Sequence, residues 1–386
     1  MYNNSAWLEI NLDNLKHNIE IIRINSLNSP IMAAIKADAY GHGAENIAFA
    51  LEELGIEYLA VATKDEALEL RVDGIKSPIL MFQPPFVEHI DELVKNEISL
   101  TLASPLNLDR IIRSAQKHNV KVKVHIKIDT GMGRIGFNFK DEKLYRFAKR
   151  ISKEPHLILE GIYSHFSTMS TDDPEYMELQ FRRFVEIIER IKKDNIRVKY
   201  CHISNSSAII SKPEYKLDMV RPGIMMYGLY PSEALKEYVK LKPVLSFKAR
   251  IAFVKNIKEE IGISYAKTYT AKKGEVIATL PVGYADGLSR AFSNKINVLF
   301  RGKRVPVVGT ICMDQCMINL TGFENVKTGE EVVIIGEQKK DSISIDDWAE
   351  KINTINYEIA TSLSKRLPKI YVKDGKILKI KTYYKR

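Results

Sequence analysis

The first residue that could do chemistry is Lys36, which directly follows the apolar run Ile31–Ile35. A charged amine at the end of a buried strand costs free energy unless it is used. Burial also lowers the pKa of an amine, so we interpret Lys36 as a nucleophile that condenses with a carbonyl group. A lysine whose side chain simply extends to solvent is the structural alternative. Tyr40, Gly41 and Gly43 follow it in a loop that could approach a phosphate closely.

A second candidate anion site follows two later apolar runs. Asn205–Ser206–Ser207 and Gly223–Ile224 supply backbone N–H groups, and Arg221 supplies a cation. Barrel enzymes often hold phosphate at the ends of their last two strands. A serine-rich turn alone is more often a helix cap, but its combination with Lys36 and Arg221 predicts one shared site.

These residues require a scaffold that brings strand ends together. Short β-rich runs alternate with amphipathic runs through about residue 230, which predicts a (β/α)₈ TIM-like barrel over residues 10–238. The predicted barrel strands are Ile31–Ile35, Tyr58–Ala62, Ile79–Met81, Ser99–Leu102, Val122–Ile128, Leu157–Tyr163, Lys199–Ile203 and Met219–Gly223. Each is expected to have a helical partner.

The sequence changes character near residue 240. Short strands such as Val244–Val254 are separated by glycine and proline, and one helical segment covers Ile345–Leu363. We therefore predict a mainly β domain over residues 239–386, joined by an N-terminal strand at residues 1–9.

Composition narrows the class of protein. The chain has 58 Lys and Arg against 48 Asp and Glu, a net charge of +10, but the two signs alternate, which favours a solvated surface over a nucleic-acid site. Three cysteines indicate reduced thiols, and the lack of a signal peptide or of about 20 consecutive apolar residues predicts a cytoplasmic protein without membrane contact. His165 and His202 lack a metal-binding spacing, so we expect no metal.

The motifs resemble those of a known family. Ala34–Gly43 (AIKADAYGHG) looks like the pyridoxal 5′-phosphate (PLP) lysine signature of the alanine racemases, and Cys312–Met317 (CMDQCM) resembles a second specific motif of that family. The other similar segments, in the family's order, are Lys127–Gly136, His165–Thr168, Arg221–Ile224, Ile263–Tyr265 and Val282–Gly287.

The resemblance implies a role for each matching position. Lys36 would carry PLP and act as one base, and Tyr265 from the partner of a head-to-tail homodimer would act as the second base. Arg221 would bond the pyridine nitrogen and Arg134 the phenolic oxygen. The other residues that would hold the cofactor are Tyr40, His165, Asn205, Ser206, Gly223, Ile224 and Tyr357. Substrate would meet Arg134, Met313, Asp314 and Tyr284.

Other positions qualify the resemblance. Lys127 matches a lysine that is carbamylated in the family and positions Arg134, the alternative being an unmodified lysine that points to solvent. Thr310 and Ala266 stand where some members have Arg and Gly, and we expect Thr310 to touch neither proposed base.

The resemblance implies interconversion of L- and D-alanine, which would supply D-alanine for peptidoglycan. Three alternatives remain open: a racemase of another small amino acid such as serine, a PLP-dependent decarboxylase of basic amino acids, and a non-catalytic PLP-binding protein. Arg221 is always charged and cannot accept a hydrogen bond from a protonated pyridine nitrogen. The nitrogen would therefore stay unprotonated, which we expect to restrain transamination.

Overall fold

The computed structural model describes residues 4–383 and divides by internal contacts into two units. The barrel unit comprises Lys16–Ala39 and Ala44–Lys242. The β unit comprises the described residues up to Leu15, Tyr40–Gly43, and the chain from Pro243 onward. Across the described residues, no helix combines the length and the apolar character needed to cross a bilayer.

The barrel unit is built on parallel strands that follow one another in chain order. Their bounds are Met32–Ala34, Tyr58–Val61, Ile79–Met81, Ser99–Leu102, Val122–Asp129, Leu157–Tyr163 and Tyr200–His202, with the short strand Phe137–Asn138 beside the fifth. Almost every residue of these strands is buried, as expected for parallel strands covered on both faces.

The predicted eighth strand is reduced to one bridge. Val220 pairs with Ile31, and the N–H of Met32 donates to the carbonyl of Val220 at 2.8 Å. On the other side, the N–H of Arg221 donates to the carbonyl of Ser204 at 2.9 Å. This segment therefore closes the predicted (β/α)₈ barrel, and Pro222 limits its length because proline donates no hydrogen bond.

Helices follow most of these strands. Their bounds are Ala44–Glu53, Lys64–Val72, Ile90–Lys95, Leu108–His118, Lys143–Lys153, Pro174–Lys193 and Ser206–Ser211, and Leu12–Asn25 precedes the first strand. The expectation of a helix after every strand is wrong at the eighth. Only the 3₁₀ turn Ile224–Tyr227 follows there, and Gly228 ends it at a φ of 78°.

The β unit contains, within residues 4–383, an 11-stranded sheet and a separate hairpin. The strands of the sheet are Ala6–Asn11, Leu245–Arg250, Phe253–Asn256, Val276–Leu280, Asn297–Phe300, Lys303–Val308, Cys316–Asn319, Glu331–Gln338, Asp341–Ile343, Lys369–Lys373 and Lys376–Lys381. The hairpin pairs Ile261–Ile263 with Tyr269–Ala271. The predicted mainly β character is confirmed. Of the N-terminal strand predicted at residues 1–9, residues 1–3 lie outside the described residues.

Two predicted segments of the β unit are interrupted. Val244–Val254 forms two strands because the chain changes partner at Ile251, from Glu331–Gln338 to Val276–Leu280. Ile345–Leu363 forms the helices Ile345–Lys351 and Asn356–Ser362. Asn353 adopts a φ of 54° between them, a left-handed conformation that asparagine tolerates and that ends a helix.

Candidate active site

Lys36 begins a left-handed turn at the end of the first barrel strand. Ala37, Asp38, Ala39 and Tyr40 have φ values of 51°, 55°, 53° and 54°. Each non-glycine residue in this conformation costs roughly 1–2 kcal/mol, and such strain is concentrated at functional sites. The turn is therefore a costly feature whose effect is to set the direction of the lysine at its start.

Two carboxylates hold this turn by accepting hydrogen bonds from backbone N–H groups. The N–H of Ala37 donates to Glu66 at 2.7 Å, and the N–H of Ala44 donates to Asp38 at 2.9 Å. Burial and the charge of Arg134 lower the pKa of Lys36, and Glu66 opposes them. A larger fraction of the Lys36 amine is therefore neutral, as a nucleophile or base requires.

Arg221 lies inside the barrel with only 4% of its surface exposed. Its guanidinium donates to Nδ1 of His202 at 2.9 Å, to the carbonyls of Ser164 at 2.6 Å and Ile203 at 3.1 Å, and to Nδ1 of His165 at 3.2 Å. All four acceptors are uncharged, and burial lowers the pKa of Arg221 to about 10. All four of these hydrogen bonds are donated by the two terminal nitrogens, Nη1 and Nη2.

The two histidines around Arg221 are neutral acceptors. Burial and Arg221 hold the pKa of His165 and of His202 well below the usual value. His202 also stacks on Tyr163, with ring centroids 5.0 Å apart and planes 6° apart. Hydrogen bonding to Arg221 and, for His202, stacking on Tyr163 account for the positions of the two rings. The described residues hold no group of three or more potential metal ligands.

The serine turn begins a short helix after the seventh strand. Asn205 caps that helix by accepting from the N–H of Ala208 at 3.1 Å. The hydroxyl of Ser206 accepts from the N–H of Gly223 at 2.9 Å, so Gly223 is already bonded within the protein. The buried Oγ of Ser207 has no hydrogen-bond partner in the described chain, and the first N–H groups of a helix generally have none. Asn205, Ser206 and Gly223 therefore come together beside the unpartnered hydroxyl of Ser207.

Lys127 is buried, which shows that the alternative of a lysine pointing to solvent is wrong. It is 2% exposed, donates to the carbonyl of Ile128 at 2.7 Å, and lies 5.4 Å from the ring centre of Tyr163. Burial, followed by Arg221, lowers its pKa to about 7. Much of its amine is therefore neutral near physiological pH.

The loop that carries Arg134 is organised by Asp129. That carboxylate accepts from the N–H groups of Gly131, Met132 and Gly133 at 2.9, 2.8 and 3.1 Å. The Arg134 side chain is exposed. Its charge lowers the pKa of Lys36 and that of Lys127, so the three cations lie within electrostatic range of one another.

In the β unit, Tyr40 and Tyr357 lie together with ring centroids 6.2 Å apart. Burial raises the pKa of Tyr40 to about 12, and both phenols are neutral donors. A Cβ added at Gly41 would lie 2.3 Å from the carbonyl oxygen of Ala360. The absence of a side chain at Gly41 thus has a packing reason in addition to the phosphate approach that the sequence suggested.

Tyr265 lies on an exposed turn of the β unit. Tyr265 is 70% exposed. Its backbone carbonyl accepts a hydrogen bond from the hydroxyl of buried Thr310 at 2.9 Å. The expectation that Thr310 touches neither proposed base is therefore wrong, because it bonds the backbone of Tyr265. Ala266 follows with a φ of 58°, a conformation that suits glycine.

The backbones of two other motifs of the β unit, Val282–Gly287 and Cys312–Met317, are hydrogen-bonded to each other. The N–H of Tyr284 donates to the carbonyl of Cys312, and the N–H of Ala285 donates to the carbonyl of Met313, both at 3.0 Å. A Cβ on Gly283 would lie 2.2 Å from the carbonyl oxygen of Met313. This close approach leaves Tyr284 and Met313 43% and 53% exposed.

Asp314 is held by Arg366, which also bonds Asp286. Arg366 donates to Asp314 at 2.7 Å and to both oxygens of the buried Asp286, at 2.7 and 3.0 Å. Asp286 in turn accepts from the N–H of Gly283 at 2.9 Å. Arg366 therefore ties the two motifs together, and the sequence analysis did not identify it.

Sequence reasoning also missed four buried polar side chains in the barrel: Tyr58, His125, Glu160 and Tyr163. They contact one another or the rings around Arg221. A titratable residue in the middle of an apolar run, as in Val122–Ile128 and Leu157–Tyr163, was the available signal. Such a residue must find a partner when its strand is buried.

Family models and known proteins match nearly the whole chain. Residues 10–231 match "Alanine racemase, N-terminal domain" and residues 244–371 match "Alanine racemase, C-terminal domain". The chain is 43% identical over 379 residues to alanine racemase 2 of Caldanaerobacter subterraneus, covering 98% of this chain and 97% of that one. It is 44% identical over 374 residues to the alanine racemase of Methanococcus maripaludis, covering 96% and 100%.

Solved structures show the same fold. Alanine racemase of Clostridium difficile 630 superposes with a TM-score of 0.94 at 36% identity, covering 100% of both chains. A histidine racemase of Leuconostoc mesenteroides superposes with a TM-score of 0.88 at 27% identity, covering 97% and 99%. With both family models matched in order along nearly the whole chain, this protein belongs to the alanine racemase family.

Proposed function

We propose that this chain interconverts L- and D-alanine with PLP as cofactor and with Lys36 and Tyr265 as the two bases. The observation that carries the proposal is the cluster at the strand ends of the barrel. A lysine with a lowered pKa, a buried arginine bonded only to neutral acceptors, and a serine turn with an unpartnered hydroxyl occur in one unit.

The residues of the barrel fit PLP by their chemistry. Ser207 has a buried Oγ without a hydrogen-bond partner in the described chain, and the start of its helix suits the charge of a phosphate. Ser206, Ile224 and the phenol of Tyr40 would supply further donors to that phosphate. Arg221 would donate to the pyridine nitrogen, and Lys36 would supply the amine that condenses with the aldehyde. His165 would pack near the ring.

Two bases on opposite sides of a flat group would exchange the α-hydrogen. When bound, PLP supplies an electron sink for the charge that develops at Cα. Nζ of Lys36 would remove or return the proton on one face, and Oη of Tyr265 would do so on the other. Lysine and tyrosine titrate near about 10.4 and about 10 when unperturbed, so both must be tuned downward to act near neutrality. Burial and Arg134 already provide this for Lys36.

Met313, Tyr284, Asp314 and Arg134 would recognise the substrate. The backbone N–H of Met313 would donate to the substrate carboxylate, and the close packing at Gly283 would fix its direction. Tyr284 would line the entrance.

Lys127 is proposed to be carbamylated. Its neutral amine would attack carbon dioxide, forming a C–N bond and releasing one proton, which leaves an anion in place of the neutral amine. That anion would attract Arg134, whereas a charged lysine would repel it. A ¹³C NMR signal near the carbamate position after incubation with ¹³C-bicarbonate, absent in Lys127→Met, would support this modification.

We further propose a head-to-tail homodimer in which Tyr265 of one subunit completes the site of the other. Tyr265, Tyr284 and Met313 are large side chains that remain 70%, 43% and 53% exposed in the described chain, which suits a surface that meets a partner. The free thiols of Cys201, Cys312 and Cys316 fit a reducing cytoplasm, where D-alanine would be made for peptidoglycan.

The experiment that tests the function is a racemase assay with L-alanine, L-serine and L-histidine, with and without added PLP. We expect L-alanine to be the best substrate and the purified protein to be yellow. Lys36→Ala should abolish both activity and colour, whereas Lys76→Ala, an exposed lysine of the same unit, should change neither. Carbon dioxide release from lysine or ornithine would favour a decarboxylase, and PLP binding without turnover would favour the non-catalytic alternative.

A further inference from the structure

Four buried side chains form a hydrogen-bonded chain along the inside of the barrel. Oε2 of Glu160 contacts Nε2 of His125 at 3.3 Å, Nδ1 of His125 contacts Nε2 of His202 at 3.0 Å, and Nδ1 of His202 contacts Arg221 at 2.9 Å. Glu160 and Arg221 are 5% and 4% exposed, and both histidines are fully buried. We name this set the Glu160–Arg221 chain.

The two ends of the chain impose the same direction on every hydrogen bond. A guanidinium only donates, so Nδ1 of His202 must accept and its proton must lie on Nε2. That proton is donated to Nδ1 of His125, whose own proton must then lie on Nε2 and face Glu160. A carboxylate only accepts, so the last bond agrees with the first. Three bonds use three protons, and no member of the chain is left unsatisfied.

The two ends of the Glu160–Arg221 chain carry opposite charges. Burial by itself raises the pKa of Glu160, but the hydrogen bonds from His125 and Tyr58 and the nearby positive charges outweigh it and lower the pKa to about 2. Glu160 is therefore an anion, and Arg221 is a cation whose direct acceptors are all neutral. Hydrogen bonds in series polarise one another in a low-dielectric interior. Glu160 is thus the carboxylate that Arg221 reaches through the two imidazoles.

Two contacts hold the Glu160 end in place. The hydroxyl of Tyr58 donates to Oε2 of Glu160 at 2.7 Å and contacts Oγ of Ser99 at 2.5 Å. Lys123, which is partly exposed, lies 3.6 Å from Oε1 of Glu160. The carboxylate is therefore held at both oxygens, by Tyr58 and His125 at Oε2 and by Lys123 at Oε1.

We propose that Glu160 is a positioning residue for Arg221, acting through His125 and His202 as a remote counter-charge that fixes the direction of the guanidinium. This inference rests on the proposed function, in which Arg221 faces the pyridine nitrogen of PLP. An arginine without this anion would be an uncompensated buried cation and would shift toward solvent. Glu160 would thereby control how Arg221 meets the cofactor.

The first test needs no cofactor. The chain has eight histidines, so ¹⁵N-histidine NMR of the apo-protein can assign protonated and unprotonated ring nitrogens. We expect unprotonated Nδ1 in both His125 and His202, and a shift of the His202 Nδ1 signal in Glu160→Gln. The matched control is Glu57→Gln, which removes an exposed carboxylate that accepts from the N–H of Ile31 in the same barrel. It should leave the His202 signal unchanged.

The second test measures PLP binding to the same proteins. We expect Glu160→Gln to weaken PLP binding about tenfold, the loss that follows from removing one charged hydrogen-bond partner, and to shift the absorption maximum of bound PLP. Tyr58→Phe keeps the carboxylate and removes one bond to it, so its effect should be smaller and in the same direction. It also serves as the variant of choice if Glu160→Gln does not fold. Glu57→Gln should bind PLP like the wild type.

Several results would overturn the proposal. A proton on Nδ1 of either histidine would contradict the direction of the chain. Wild-type affinity and absorption in Glu160→Gln, or an equal loss in Glu57→Gln, would contradict a specific role for Glu160. If the wild-type protein bound no PLP, the proposed function would fail. The NMR comparison would still test the predicted direction of the hydrogen bonds in the Glu160–Arg221 chain.

Discussion

Two groups of candidate site residues, one in each unit, are held in opposite ways. In the barrel unit, Arg221, His202 and Lys127 are buried and are fixed by hydrogen bonds to their side chains. In the β unit, Tyr265 and Met313 are 70% and 53% exposed. There the fixed part is the backbone, bonded by Thr310 at Tyr265 and by Ala285 at Met313.

This difference separates two tasks. The barrel sets charges and pKa values in a buried polar network before any ligand arrives, which is the condition for strong electrostatic preorganisation. For Tyr265 and Met313, the β unit sets only the positions from which the side chains extend, and the environment of these side chains must come from another surface. The barrel groups should therefore respond to mutation through pKa and stability, and the β-unit groups through activity alone.

The sharpest test of that division is Tyr265→Phe. Because its hydroxyl belongs to an exposed side chain, we expect thermal stability to stay within experimental error while racemase activity falls by about 10²–10⁴-fold, the usual contribution of a general base. Activity in both directions and the melting temperature should be measured together. Tyr383→Phe, another exposed tyrosine of the same unit, is the control, and a large loss of stability in Tyr265→Phe would break the comparison.

Lys127→Met should show the opposite pattern in the barrel. The pKa of Lys127 falls from 10.5 to about 7 on folding. The unfolded chain therefore binds this proton more tightly, and wild-type stability should rise with pH between 7 and 10.5. Below that window the buried amine costs stability, so in buffer free of carbon dioxide Lys127→Met should be more stable than wild type by on the order of 3 kcal/mol at pH 7.

The advantage of Lys127→Met should shrink as pH approaches 10.5, because the folded and unfolded amines are then both largely neutral. Denaturant unfolding across this pH range measures the difference. Bicarbonate should stabilise the wild type alone if the amine is carbamylated. A pH-independent difference would show that Lys127 titrates normally and that the barrel does not preset its charge.

Arg221→Glu tests whether the barrel's charge arrangement governs the choice of reaction. A carboxylate beside the pyridine nitrogen would keep it protonated, which strengthens the electron sink. We expect racemisation to fall and the ratio of transamination to racemisation to rise by about tenfold, equal to about 1.4 kcal/mol. Keto-acid formation per turnover is the measurement, with Arg366→Lys in the β unit as a comparison. An unchanged ratio would refute this role for Arg221.

The same division explains what the sequence could predict. Motifs with fixed spacing identified Lys36, Arg221 and Tyr265, and the alternation of strands and helices identified the barrel. Contacts between residues far apart in the sequence could not be predicted from it, so the contacts of Glu160 with His125 and of Thr310 with Tyr265 were missed. The C-terminal strands Lys369–Lys373 and Lys376–Lys381 were not among the predicted strands. Lys376–Lys381 lies at the edge of the sheet, where lysines are common, and its lysines obscure the alternation that would indicate a strand.

The left-handed conformation of Ala266 gives the smallest expected effect and the finest test of the β unit. Alanine at a φ of 58° is strained, and glycine is not. Ala266→Gly should therefore raise the free energy of unfolding by up to about 1 kcal/mol, whereas Ala285→Gly, which has no positive φ to relieve, should lower it by about 0.5–1 kcal/mol. Denaturant unfolding of both variants measures the contrast. If Ala266→Gly also lowers racemase activity, the strained backbone of Ala266 helps to aim Tyr265, and the β unit, like the barrel at Lys36, uses a strained turn to direct a base.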